Sequence, residues 1–157
     1  MRGIQNVLFG LLIAAIVVVV DQEVKRQMVA LLADKPFISI TPFFNLVMVW
    51  NKGISFGMFS GMDARDFLIA MKSVIILLLL VWLFLGRERM LYLPLGLIIG
   101  GAAGNVIDRV RWGAVADFFD FYIGGYHWPA FNIADSAIVM GVVLLLALSF
   151  FSKKSAA

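Results

Sequence analysis

Hydrophobic positions in this chain fall into four long runs, separated by stretches with a different grammar. The first run, Ile4 to Val20, follows Arg2 and stops at Asp21. The second extends from Asp66 to Leu85, the third from Leu91 to Ile107, and the fourth from Asn132 to Phe151. A helix needs about 20 mostly apolar residues to cross the hydrocarbon core of a bilayer, and each run approaches that length. The first run has the short positive start of a secretory signal peptide, but it ends V-V-V-V-D with no small-x-small cleavage site. It therefore reads as an uncleaved span. The helix is expected to continue past the lipid through Asp21 and Lys25, which are four residues apart, share a face and can pair. That pair is either a solvated interfacial ion pair or part of a site. The expected spans are about 4–25, 66–85, 91–108 and 132–151.

Between the first two runs the period changes. Pro36 and Pro42 flank F-I-S-I, then comes F-N-L-V-M-V-W, a turn signal at Asn51-Lys52-Gly53, and I-S-F-G-M-F. These β-favouring residues predict a small antiparallel sheet over about 36–60. An open sheet edge cannot face lipid, so the sheet belongs outside the bilayer core. Phe43, Phe44, Met48, Trp50, Phe56, Met58 and Phe59 suit an interfacial layer or a greasy cradle for a substrate. The expected fold is an integral membrane, mainly α protein: a four-transmembrane-helix bundle, one membrane domain over residues 1–157, with a small extracytoplasmic β-sheet between helices 1 and 2.

The third run carries Gly96, Gly100 and Gly104 at every fourth position, a stripe that lets helix backbones approach closely. Gly101, Asn105 and Asp108 lie on an adjoining face and should point into the bundle. Four spans put both termini on one side. Arg2, Arg87 with Arg89, and Lys153 with Lys154 then share that side, which the positive-inside rule makes cytoplasmic. The 21–65 connection also holds five basic residues, but it is longer and mixes them with acids.

Composition narrows the chemistry. The chain is 62% hydrophobic, with a mean hydropathy of +0.98, against about 45–50% apolar in soluble domains. Its net charge of +3 from thirteen scattered Lys and Arg is too little for a nucleic-acid surface. With no cysteine and one histidine, His127, thiolate chemistry is absent and no metal or other cofactor is expected. Ser55 and Ser136 are available nucleophiles and Lys25, Lys52 and Lys72 possible bases, but no Ser–Lys spacing stands out.

Carboxylates are the richer supply. Asp108, Asp117, Asp120 and Asp135, with Asn105 and Asn132, crowd the stretch from Gly100 to Asp135. All should lie near the outer surface. Asp135 sits about 4.5 Å deeper than Asn132 along a helix and is partly desolvated. Asp117, in V-A-D-F-F, can be held in a low-dielectric pocket. Two such acids brought together would share a proton, one taking a proton from water and the other donating to a carbonyl oxygen. Other roles compete. Asp108 and Arg109 can form a structural pair at a helix end, Asp120 reads as a solvated loop acid, and Asn132 can be an N-cap. Acids lining a solute path would also explain polar groups in a membrane chain.

Taken together, D-Q-E-V-K at 21–25, N-K-G-I-S-F-G at 51–57, G-G-A-A-G-N-V-I-D-R at 100–109, V-A-D-F at 115–118 and F-N-I-A-D at 131–135 resemble the lipoprotein signal peptidase (signal peptidase II) family. These are bacterial membrane aspartic peptidases. The resemblance covers almost the whole chain. It implies an endopeptidase that removes the signal peptide from diacylglyceryl-modified prolipoproteins, cutting before the lipidated cysteine. It implies Asp117 and Asp135 as the catalytic pair, with Asn105, Arg109 and Asn132 holding substrate or dyad. Asn51 and Gly53 match the turn beside the site, Asp21 and Lys25 match the first-span block, and Asp108 is ranked as support. The implied setting is the bacterial inner membrane, with the active site near the extracytoplasmic surface, prolipoprotein and membrane lipid as partners, and no obligate protein partner. One bundle can enclose the site, so a monomer suffices. The alternative from another class is a small transporter or channel subunit using the same acids as a polar path, and a non-enzymatic membrane scaffold is a third reading.

Overall fold

The computed structural model describes residues 2–53, 64–86 and 88–154. Ser55, Phe56, Met58 and Phe59, the expected I-S-F-G-M-F strand they belong to, and Arg87 lie outside the described residues. Among the described residues four helices are long and apolar enough to cross a membrane. They are α1 (Arg2–Leu31), α2 (Ala64–Leu85), α3 (Tyr92–Trp112) and α4 (Ile133–Lys154).

At 1.5 Å per residue α1 is about 45 Å long, well beyond the ~30 Å hydrocarbon core. Its lower part is apolar almost all round and shows Leu8, Leu12, Ile16 and Val19 outward, as a lipid-facing helix does. Its upper part divides into two faces. Glu23 and Arg26 pair on the exposed face at 2.7 Å, whereas Asp21 and Lys25 on the other face are fully buried.

α3 is the hub. Buried positions make up 56% of its 18-residue apolar stretch, against 11–17% in those of the other three helices. Small residues permit this enclosure, because lipid offers no hydrophobic drive for helices to associate and close backbone packing must substitute. A Cβ built on Gly96 would lie 2.5 Å from the Gly10 carbonyl oxygen of α1, and one on Gly100 2.6 Å from that of Ala14. One on Gly104 would lie 2.5 Å from Asp21 Oδ2, and Gly101 meets the Ala134 backbone of α4. The glycine stripe thus seats α1 and an adjoining glycine seats α4. Val7, Ala14, Leu83, Tyr92, Leu95 and Ile99 fill the apolar half of the bundle.

The sheet has the order β1-β2-β3-β4 and is antiparallel throughout. β1 (Phe37–Thr41) and β2 (Phe44–Asn51) form the expected hairpin between α1 and α2. The sheet then extends further than the sequence reading placed it. β3 (Val115–Ile123) and β4 (Tyr126–His127), between α3 and α4, continue it. The stretch expected to be an aromatic loop is therefore a strand and a tight hairpin. Gly124 and Gly125 close that hairpin with φ of 57° and 86°, the left-handed pair a two-residue turn requires. An aromatic-rich run ending in Gly-Gly was the available signal.

Two helix ends aim the site. Gly113 exits α3 in the left-handed conformation at φ 76°, its N–H returning to the Arg109 carbonyl. The chain turns directly into β3, and Ala116 N–H donates to Asp108 Oδ2 at 3.3 Å. At the start of α4, Asn132 Oδ1 accepts the Asp135 N–H at 2.9 Å, and Asp135 Oδ2 accepts the Asn132 N–H at 3.4 Å. This is the reciprocal arrangement of a capping box.

Candidate active site

Asp117 comes from β3, where it pairs with Val49 of β2. Asp135 comes from the first turn of α4. Asparagines join the two. Asn132 Nδ2 donates to Asp117 Oδ1 at 2.7 Å. Asn105 Nδ2, from α3, donates to Asp135 Oδ1 at 2.8 Å. The two amides meet where Asn132 Nδ2 reaches Asn105 Oδ1 at 3.3 Å. From the other side Asn51 Nδ2, at the end of β2, donates to Asp117 Oδ2 at 3.0 Å. Gly53 follows with φ 89° and donates its N–H to Asn51 Oδ1 at 2.9 Å, an Asx-turn that fixes the asparagine.

Asp117 is 2% exposed. Burial pushes its carboxyl up to about 6, and the nearby Asp135 charge adds to this; hydrogen bonds from Asn51 and Asn132 and the Lys25 charge pull the other way. A carboxyl displaced this far, beside a second acid, has the character of an acid–base group.

Beneath the pair lies a buried ion cluster. Lys25 Nζ contacts Asp21 Oδ2 at 2.9 Å, Asp108 Oδ2 at 2.7 Å and Asn105 Oδ1 at 3.1 Å. Asp21 Oδ1 also accepts the Ala134 N–H at 2.8 Å, which ties α1 to the start of α4. The Asp21–Lys25 pair is therefore not a solvated interfacial pair, since both side chains are fully buried. Asp108 pairs with Lys25 from another helix, not with its neighbour Arg109 as the helix-end reading expected. A helical residue and the next one point about 100° apart, which lets Asp108 face α1. Arg109, 4% exposed, donates to the Asn105 carbonyl at 3.2 Å, and its Nε–H has no acceptor among the described residues.

Asp120 corrects another expectation. It is buried, not a solvated loop acid. Asn45 of β2 donates to it at 2.9 Å and His127 Nδ1 at 2.8 Å. Burial raises its carboxyl, but these two partners outweigh that and hold it below the usual carboxylate range. The group staples β2, β3 and β4, away from the asparagine bridge.

Gln22 was missed by the sequence reading. It donates to Asp108 Oδ1 at 2.7 Å and to the Gly104 carbonyl at 3.2 Å. Its signal was a carboxamide directly beside Asp21 at the end of an apolar run. Ser136, weighed as a nucleophile, donates its hydroxyl to the Asn132 carbonyl at 2.9 Å. Among the described residues no group of three or more His, Asp or Glu side chains could hold a metal ion. Beside the pair, a mainly apolar cavity of about 670 Å³ runs along α4, lined by Trp128, Phe131, Val139, Met140 and Val143, with Asp135 and Ser136 at its polar edge.

This geometry has relatives. The family model described as "Signal peptidase (SPase) II" matches residues 13–151. The chain is 45% identical over 145 residues to a lipoprotein signal peptidase of Rhodopseudomonas palustris, covering 87% of this chain and 88% of that one. It is 39% identical over 142 residues to one of Anaplasma phagocytophilum, covering 90% and 91%. A solved bacterial membrane enzyme superposes with a TM-score of 0.77 at 30% identity, over 94% of this chain and 91% of that one.

Proposed function

The chain belongs to the signal peptidase II family, and on that footing we propose that Asp117 and Asp135 are the pair with which it removes signal peptides from prolipoproteins. It is an aspartic-type peptidase of the bacterial inner membrane with four membrane-length helices. The observation that supports the dyad assignment is that acids from different elements, β3 and α4, are held side by side by two touching amides, Asn132 on the Asp117 carboxylate and Asn105 on the Asp135 carboxylate.

In the proposed reaction the pair holds one proton. One carboxylate takes a proton from water as that water attacks the scissile carbonyl, and the other, protonated, donates to the carbonyl oxygen. In the second step the protonated acid gives its proton to the leaving amine while the other carboxylate takes a proton from a hydroxyl of the tetrahedral diol as the C–N bond breaks, which leaves the pair singly protonated for the next cycle. Burial favours this scheme, because two acids in a low dielectric cannot both ionise comfortably. Asn51, Asn105 and Asn132 orient the carboxylates, and the Arg109 Nε–H, which has no acceptor among the described residues, is available to a substrate carbonyl. Asp21, Lys25, Asp108 and Gly53 support this shelf.

The substrate is read as a diacylglyceryl-modified prolipoprotein cut before its lipidated cysteine. The apolar cavity beside Asp135 suits the acyl chains, since it opens along a helix whose other exposed residues, such as Val142 and Leu146, are aliphatic. We read residues 1–157 as one membrane domain acting as a monomer, with both termini cytoplasmic and the sheet on the outer face. The test is turnover of a diacylated prolipoprotein by Asp117→Asn and Asp135→Asn. Each should lose activity by ~10³-fold or more while remaining folded. Full turnover by either would sink the dyad assignment.

A further inference from the structure

The donors around the three site asparagines fix which end of each amide faces the acids. A side-chain amide has a donor end and an acceptor end, and an environment selects between them only if it offers a group of one kind. Asn132 Oδ1 is held by the backbone N–H of Asp135, and Asn51 Oδ1 by the backbone N–H of Gly53. Both are local contacts built into a helix cap and a turn. Among the described residues Asn105 has no such backbone donor. Its Oδ1 accepts from Lys25 Nζ at 3.1 Å, from a residue 80 positions away, and from Asn132 Nδ2 at a longer 3.3 Å. An ammonium can only donate, so the atom facing Lys25 must be the oxygen, and the NH2 must face Asp135, where it lies at 2.8 Å.

We infer that Lys25 is a positioning residue for the reaction: by pinning the oxygen of Asn105 it keeps an N–H donor, not an acceptor, against Asp135. Its ion pairs with Asp21 and Asp108 hold it in place for this task. The inference rests on the dyad reading above. It adds that the buried ion cluster acts on the acid pair through amide polarity, beyond joining α1 to α3. The charged groups around this relay are Asp21 on α1, Lys72 on α2, Asp108 and Arg109 on α3, Asp117 on β3 and Asp135 on α4.

Lys25→Met alone would leave two buried carboxylates without a counter-ion. The informative variant is Lys25→Met combined with Asp108→Asn, which removes one positive and one negative charge together. Its reference is Asp108→Asn, which retains the Lys25 donation to Asn105. In the double variant Asn105 Oδ1 keeps only the longer Asn132 contact, which lets the amide turn its oxygen toward the acids. The acidic limb of the kcat/KM profile should move up by about one pH unit relative to the reference, with the loss in kcat rather than KM. Asn105→Leu should produce the same shift, and combining it with the Lys25 change should add nothing further. Coincident acidic limbs would overturn the inference, as would a purely additive combination. A measurement on the wild-type protein guards against variants that do not fold. In detergent, an Asn105 Nδ2–H resonance should move with pH in step with titration of the acid pair, and a resonance that ignores that titration overturns the relay. Loss of activity in Asp117→Asn and Asp135→Asn alongside coincident limbs would reject the relay alone. Activity in either of those variants would reject the dyad itself.

Discussion

Asn132 and Asp117 are joined by a 2.7 Å hydrogen bond, although one caps a helix and the other lies in a strand. The same asparagine accepts the Asp135 N–H, so one side chain starts α4 and sets the position of β3 against it. Capping and bridging use different ends of the amide, and substitution can separate them.

Asn132→Ser should retain the cap, because serine oxygen also accepts the N–H three residues on. It should lose the bridge, because its side chain is too short to reach Asp117. Unfolding in detergent should place it close to wild type, with turnover down by ~10²-fold or more. Asn132→Ala should show the same loss of turnover and a further stability loss of about 1 kcal/mol. Equal turnover by the serine variant and wild type would show that the bridge is dispensable.

Asp117 should make stability depend on pH in a definite direction. Its folded-state carboxyl titrates near 6, above the ordinary value of 3.8. As pH falls, the folded protein takes up this proton before the unfolded chain does. The resulting stabilisation is complete below about pH 4 and is lost as pH rises through about 6. Asp117→Asn removes the titration. It should be more stable than wild type by roughly 1–3 kcal/mol at pH 7.5, and the difference should shrink toward pH 4. Parallel stability curves for the two proteins would contradict the burial argument.

Gly104 should be intolerant of even one methyl group. A Cβ there lies 2.5 Å from Asp21 Oδ2 and 3.2 Å from its carboxyl carbon. Gly104→Ala must displace Asp21 or separate α1 from α3, at a cost of about 1–3 kcal/mol. Because Asp21 also holds Lys25 and the Ala134 N–H, turnover should fall as well. At Gly3 the same methyl meets nothing within 4 Å, and Gly3→Ala should alter neither quantity. Wild-type stability and turnover in Gly104→Ala would show that the close approach of α1 and α3 is not required.

The apolar runs determined the membrane class and four of the main elements, because lipid forces backbone polar groups to pair within the helix. The Gly96–Gly100–Gly104 period marked the face of α3 that meets α1, since small residues at helical spacing have few other uses in a membrane. The first hairpin was legible from its prolines and β-favouring residues. The family blocks pointed to Asp117 and Asp135. What the chain alone left undecided was partnership at a distance. The residues 115–123 could read as a loop because their strand partners lie on β2, more than sixty residues earlier. Asp108 looked paired with Arg109 because the two are adjacent in the chain, yet close helix packing delivers Lys25 to it from α1. Asp120 looked solvated because its partners, Asn45 and His127, reach it only once the sheet has formed. Periodicity is local and survives in the sequence; the choice of a buried charge's partner is made by packing, where each donor must find an acceptor among whatever the fold has brought near.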